Sequence, residues 1–524
     1  MFRKFLLTSI SLVAFSVAAQ AQIVLNRGND TDPSTLDHHR TSTVSENHVL
    51  VDLYDGLTIL DAKGEAVPGV AHSWDISDDG TLYTFHLRED AKWSNGDPVT
   101  AGDFQFAFRR LMDPQTAAGY ASLLFIIKNA EAVAGGTMPV DQLGVAAVDD
   151  HTLTITLNAP APYFLELLTH QTGLPLHQKT VEQYGDRFTL SGNMVTNGAF
   201  MLESFTPNDK IVMKKNPHYY AADEVKIDTL NWIPFEDRAS CMRRFEAGEV
   251  HVCSDVPAEQ MSYVRANLAD SFRLAPYLGS YYLPVKGKTA DSPLKDKRVR
   301  EAISMAIDRA FIAEQVWQGT MLPGYSLVPP GIANYVDDVP HLDSSDDMLA
   351  REDKARELLS EAGVAPDSLE IELLYNTSEN NKNTMAAVAD QLANIGIKAT
   401  LNETEGATYF NFLREDGPFD MARAGWIGDY NDAQNFLYTQ LGNVSFNYSK
   451  WKNDEYDTLL AKAETILDMS ERAKVLAQAE LILLDELPII PILYYSSRGL
   501  VSPQVEGWQD NLMDAHKTRW LSLK

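Results

Sequence analysis

The sequence predicts an α/β protein of two or three interleaved domains, and three observations predict it. A chain of 524 residues, 45% hydrophobic, can bury several cores rather than one. Strand and helix periodicities alternate along the whole length instead of segregating into halves. No internal repeat, low-complexity run or Ser/Gly-rich linker divides the chain. The backbone is therefore expected to cross between domains more than once.

The elements follow in chain order. In "MFRKFLLTSISLVAFSVAAQAQ", Arg3 and Lys4 precede an apolar run from Phe5 to Val17, and Ala19-Gln20-Ala21 supplies a small-x-small cleavage pattern. The run is too short and too one-sidedly flanked to span a bilayer, so it predicts a secretory signal cleaved after Ala21. The mature chain is expected to begin at Gln22 and to be soluble outside the cytoplasm. No cysteine adjoins the cleavage point to support a lipid anchor, and no later stretch has the length and apolarity of a membrane span.

In "LYTFHLRED", Tyr83, Phe85 and Leu87 share one face, and in "TLTITLNAP" so do Leu153, Ile155 and Leu157; both read as half-buried strands. "ASCMRRFEAGEVHVCSDV" reads as a short helix, a turn at Gly248 and a strand. It holds both cysteines of the chain, Cys241 and Cys253. In an oxidising compartment an isolated pair favours a disulfide, and two thiols alone cannot close a zinc shell. In "KDKRVREAISMAIDRAFIAEQV", Val299, Ile303, Ile307 and Phe311 recur at helical spacing. "SERAKVLAQAELILLDEL" is expected to enter a helix at Ser470 and leave it before Pro488. "GDYNDAQNFLYTQL" reads as a loop handing over to a helix capped by Asp432.

Charge and motifs then narrow the function. Acidic residues number 73 against 44 basic ones, a formal charge of −29 that deepens by two when Arg3 and Lys4 leave. Such a surface repels nucleic acid and anionic headgroups, and the scattered acidic pairs suit a solvated exterior. Enzyme signatures are missing: no nucleophile elbow, H-E-x-x-H, phosphate-binding loop or dinucleotide fingerprint occurs. His38-His39 is the one adjacent histidine pair, and in extended chain its members face opposite ways. No enzymatic activity, cofactor or metal is expected. A secreted hydrolase is a remote rival for which no nucleophile is nominated.

One segment stands out. "FDMARAGWIGDYNDAQNFLYTQL" is small and apolar around Trp426, yet carries Arg423 and Asp429 six residues apart. In extended chain Met421 and Arg423 face one way, Asp420, Ala422 and Ala424 the other. Arg423 then projects from an apolar strand and calls for an anionic partner. Asp429 follows Gly428, which gives the backbone room to turn toward a cleft. On the residues alone, Asp429 reads as a turn aspartate slightly more readily than as a ligand contact.

Several ordered blocks together settle on a family. They are "VPGVAHSWDISDDGTLYTFHLREDAKWSNGDPVTAGDFQFAFRR", "DPQTAAGYAS", "MVTNGAF", "DKRVREAISMAIDR", "LLYNTSENN" and "RAGWIGDYND". With these the chain resembles the periplasmic solute-binding proteins of the peptide class, in particular the oligopeptide binders of Gram-negative bacteria. The resemblance implies two α/β lobes that close like jaws, with an additional α/β domain inserted near the start. The first lobe would take residues 22–54, 179–278 and 494–524, the inserted domain 55–178, and the second lobe 279–493. The crossings near 279 and 493 would form the hinge.

It also implies a monomeric receptor that captures peptides and delivers them to a membrane-embedded ABC permease with its ATPase subunits. By the same resemblance Asp429 receives the ligand's α-amino group, and the flanking segment pairs with the ligand backbone. Arg414 and Arg423 match arginines near the ligand's carboxylate end, with an internal ion pair an equal alternative for Arg423. Tyr120 and Trp426 match residues lining the cleft. The sequence departs from the close oligopeptide binders at Ser42, Asn381, Ala407 and Trp317-Gln318, where they carry glutamate, histidine, tryptophan and lysine. The amine end is thus kept and the carboxylate end altered, which bears on peptide length. A receptor for a non-peptide ligand, a metal chelate or haem, is the alternative.

Overall fold

The computed structural model describes residues 22–41, 43–342, 344–345 and 347–524. The segment read as a secretory signal, and Ser42, lie outside the described residues. The protein is mixed α/β, with its main sheets in two lobes and an additional domain. A four-stranded antiparallel sheet orders Ala71–Ile76, Leu82–Leu87, Thr152–Thr156 and Val145–Asp149. Its inner face buries Tyr83, Phe85, Leu153 and Ile155, the period-two residues of the sequence. The helix Ala101–Met112 covers that face with Phe104, Phe108 and Leu111.

The largest sheet has nine strands. Its path runs Ala424–Ile427, Phe272–Pro284, Ile489–Val501, Val252–Cys253, Val24–Asn29, Thr229–Pro234, Lys210–Lys215 and Phe200–Thr206, with Leu322–Pro323 pairing beside Ile489–Val501. A separate three-stranded parallel sheet joins Ile397–Thr404, Leu369–Asn376 and Met421–Ala422. The two long strands Phe272–Pro284 and Ile489–Val501 run from one hydrophobic core to another. One end of the pair packs Leu500 with Cys241 and Met261, while the other packs Tyr281, Leu283, Ile490 and Leu493 with Val299, Ile303 and Val388. Their register shifts between Pro276 and Ser280, a local irregularity between the two cores.

Three elements differ from the sequence reading. The helical repeat at Val299 to Phe311 is broken: the helix Lys297–Ala306 ends, and Arg309–Phe311 begins a new turn. Asp308 accepts from the Phe311 amide, and buried Arg309 donates to the Ser304, Ile307 and Pro491 carbonyls, so the freed backbone groups stay satisfied. Phe311 is consequently exposed. The later helix, Met469–Glu486, is capped by Asp468 rather than entered at Ser470, because the Asp468 carboxylate reaches the Glu471 amide at 2.9 Å. Finally, residues 421–427 are not one strand. Met421–Ala422 pairs in the parallel sheet and Ala424–Ile427 in the nine-stranded one. Arg423 sits where the chain passes from one sheet to the other.

Cys241, on the helix Arg238–Glu246, and Cys253 are joined in a disulfide with Cα atoms 6.0 Å apart. Gly248 turns the chain between them at φ +74°, a left-handed value that favours glycine. The closed loop is short, so replacing both cysteines by serine is expected to lower unfolding stability by about 2–3 kcal/mol in urea titrations. An unshifted midpoint would show that the bridge contributes nothing. Among the described residues no helix is long and apolar enough to cross a membrane.

Candidate ligand cleft

The site is built on the end of the strand Ala424–Ile427. That strand pairs with Phe272–Pro284 on one side and is the outermost strand of its sheet. The Gly428 amide donates to the Leu278 carbonyl at 2.8 Å. A Cβ on Gly428 would lie 2.6 Å from Leu278 Cδ2, so glycine is needed for this close packing and not, as the sequence suggested, for an unusual turn.

Beyond Gly428 the loop 428–432 is pinned. Tyr430 stacks on Tyr163 with ring centroids 5.0 Å apart and donates to Gln434 Oε1. Asp432 accepts a bidentate pair from Arg472, at 2.7 and 2.8 Å, and both side chains are shut off from solvent. Asp432 also accepts from the Gln434 amide, but the N-cap of the short helix Gln434–Leu437 is Ala433 and not, as the sequence suggested, Asp432, whose carboxylate is turned to Arg472. Arg472 in turn lies over the Tyr163 ring at 5.4 Å. The loop is therefore fixed at Tyr430 and Asp432, directly after Asp429.

Asp429 lines a cavity of about 280 Å³. The walls come from the helix Val44–Leu53 and the chain after it, from Tyr120 and residues 169–174, from Tyr277, and from residues 513–517. A capping box starts that helix: Thr43 accepts from the Glu46 amide while Glu46 accepts from the Thr43 amide. The Tyr120 hydroxyl donates to Asp429 Oδ1 at 3.1 Å, and His170, kept neutral by burial that lowers its pKa to about 4, stacks on the Tyr120 ring. Among the described residues no cation pairs with Asp429. Burial pushes its carboxyl up to about 6, and the Tyr120 hydrogen bond offsets part of the rise.

A pH dependence follows. A bound ammonium would hold Asp429 ionised, so the bound state carries fewer protons there than the free state below pH 6. Affinity for an amine-bearing ligand should rise with pH up to about 6, roughly tenfold per unit at steepest, and then level. Calorimetry between pH 4.5 and about 7.5, where α-amines stay protonated, checks this; a flat profile would remove Asp429 from the binding step.

Of the residues nominated from the sequence, Asp429 and Tyr120 meet in this cavity from positions 309 apart. Arg423, Arg414 and Trp426 do not line it. Arg423 has no carboxylate partner among the described residues. Its Nη2 donates to the Tyr495 hydroxyl at 2.6 Å, its guanidinium lies 4.9 Å from the Tyr281 ring centroid, and its Nε is buried without a partner. The Tyr409 hydroxyl holds the Arg423 carbonyl. Arg414 is exposed and donates to Asn411. Trp426 donates from its indole to Asn435 and packs on Tyr438 and Phe446.

Tyr277 and Tyr495 belong with this group, and sequence reasoning missed them. Both lie inside apolar strands where aromatics read as core. Tyr277 lines the cavity, and burial raises the pKa of its hydroxyl. At two of the positions where the chain departs from the oligopeptide binders, the side chains are internal: Asn381 accepts from Tyr281, and Trp317 donates to Thr384.

Among the described residues no group of three or more His, Cys, Asp or Glu side chains is arranged to hold a metal. His38 and His39 are buried edge to face, and burial keeps both neutral; Arg110 donates to His39 Nδ1.

The chain matches the family model of the bacterial extracellular solute-binding proteins, family 5 (middle region), over residues 65–448. It is 36% identical over 516 residues to the periplasmic oligopeptide-binding protein OppA of Salmonella typhimurium, an alignment spanning 95% of this chain and 94% of that protein. The unliganded open form of the murein tripeptide-binding protein MppA matches with a TM-score of 0.84 at 33% identity, covering 96% of this chain and 98% of that one. Haemophilus influenzae OppA in complex with RPPGFSPFR matches at 0.79 with 36% identity, covering 96% and 99%.

Proposed function

Because the chain belongs to family 5 of the bacterial extracellular solute-binding proteins, we propose that it is a periplasmic peptide receptor that hands its ligand to an ABC permease. The observation that carries this is Asp429: a largely buried carboxylate facing a cavity, hydrogen-bonded by Tyr120 and, among the described residues, lacking a counter-ion. A free α-ammonium supplies the missing charge through a charge-assisted hydrogen bond, strongest where water is excluded.

The outermost strand Ala424–Ile427 supports the same reading. Its unpaired backbone side can take an extended peptide as a further strand, which reads main chain and tolerates many side chains. Arg423, with no internal acid, then serves the ligand's carboxylate end, with Arg414 nearby on the surface. Tyr120 and Trp426 line or back the cleft. The lobe boundaries proposed from the sequence place the hinge in the paired strands Phe272–Pro284 and Ile489–Val501, beside their register shift. The role is capture and transfer, with no bond made or broken.

Mass spectrometry of ligand released by denaturing the freshly purified protein tests the reading. Peptides with free N-termini are expected. Recovery of haem or a metal chelate in their place would overturn it.

A further inference from the structure

We infer that the cavity around Asp429 contains a second cation-binding position, at Asp514, which selects peptides whose first residue carries a basic side chain. This rests on the peptide reading above and specifies the ligand class for the same cavity. Four residues lining the cavity carry full charge: Arg27, Lys517, Asp429 and Asp514. The two cations are already engaged behind the wall. Lys517 lies 2.7 Å from buried Asp55. Arg27 lies 3.9 Å from buried Asp52, donates to the His516 carbonyl and the Thr518 hydroxyl, and stacks on Trp232. Burial keeps the lining histidines His48 and His170 neutral, and the third lining histidine, His516, is held on Asp514. The carboxylates a ligand can meet in this space are Asp429, which has no cationic partner among the described residues, and Asp514, which His516 bonds on one oxygen.

Asp514 is presented to that space. Its Oδ1 is bonded to His516 Nε2 at 3.0 Å, no described residue donates to its Oδ2, and its side chain stays 23% exposed. Asn511 holds the surrounding turn, bonding the amide and carbonyl of Ala515 and accepting the Asp514 amide on its own carbonyl. Asp514, Asp429 and Tyr277 line the same cavity. The same lining includes Val51, Ile59, Leu60 and Met513, a greasy surface suited to the methylene stem of a lysine. A ligand whose α-ammonium meets Asp429 can therefore lay its first side chain along this surface and bring a second cation to Asp514.

Calorimetry with three tripeptides, Xaa-Ala-Ala with Xaa lysine, norleucine or glutamate, tests the inference. In the wild type the lysine peptide is expected to bind at least about tenfold more tightly than norleucine, the effect of one charge-assisted hydrogen bond. The glutamate peptide should bind most weakly. The lysine-to-norleucine ratio should shrink toward one in molar salt, and in Asp514→Asn. Equal binding of lysine and norleucine by the wild type overturns the inference, as does a ratio that survives both salt and Asp514→Asn. Failure of all three peptides to bind would overturn the peptide reading as well.

Discussion

Replacing Asp429 with asparagine is expected to weaken binding of a free-amine peptide by more than about a hundredfold, the equivalent of roughly 3–5 kcal/mol. The substitution keeps shape and removes charge. In the bound state it leaves an ammonium in a largely desolvated cavity, where Arg27 and Lys517 are the lining cations and neither can compensate it. The empty protein should melt almost unchanged, since Asp429 has no cationic partner among the described residues to lose.

The control uses an N-acetylated version of the same peptide. Acetylation should cost the wild type a comparable factor and cost Asp429→Asn much less, because the interaction is already gone. The four combinations form a double-mutant cycle with the ligand as one partner. Equal affinity of the free and acetylated peptides for the wild type would reduce Asp429 to a turn residue. A strong penalty from acetylation that persists in Asp429→Asn would place the amine elsewhere.

Replacing Arg472 with methionine should destabilise the protein by about 3–5 kcal/mol, the largest stability effect expected of a single side chain here. The Arg472 and Asp432 side chains are 0% and 1% exposed, and the pair closes through two hydrogen bonds. Methionine matches the length of the arginine stem but strands the Asp432 carboxylate in the interior. Removing both charges together, as Arg472→Met with Asp432→Leu, should recover much of the loss, since a hydrophobic replacement of a buried pair is often neutral. Urea unfolding followed by tryptophan fluorescence measures both. A single variant as stable as the wild type would mean that water or a rearranged neighbour reaches Asp432. Because Asp432 anchors the loop carrying Asp429, the single variant should also bind peptide more weakly.

Much of this protein was legible without its tertiary structure. Strand periodicity placed Tyr83, Phe85, Leu153 and Ile155 on a buried face, because which way a side chain points in a strand is a local property of the backbone. The cysteine pair was legible for the same reason: the helix, the turn at Gly248 and the strand lie within one short segment. The blocks shared with the peptide-class receptors identified the family, since residue order survives independently of any contact.

What the tertiary structure decided depends on segments far apart in sequence. Tyr120 reaches Asp429 across 309 residues, and no local pattern encodes that meeting. Arg423 looked like a strand residue awaiting an acid. It lies instead at a crossing between two sheets, among Tyr495, Tyr281 and Tyr409, because its neighbours on either side pair with different strands. The break after Ala306 came from buried Arg309 and the Asp308 cap, which satisfy backbone groups the helical repeat would have bonded itself. The charge balance of the cavity was equally invisible in composition. The overall excess of acid said nothing of it, because what a ligand meets depends on which lysine and arginine are already paired behind the wall.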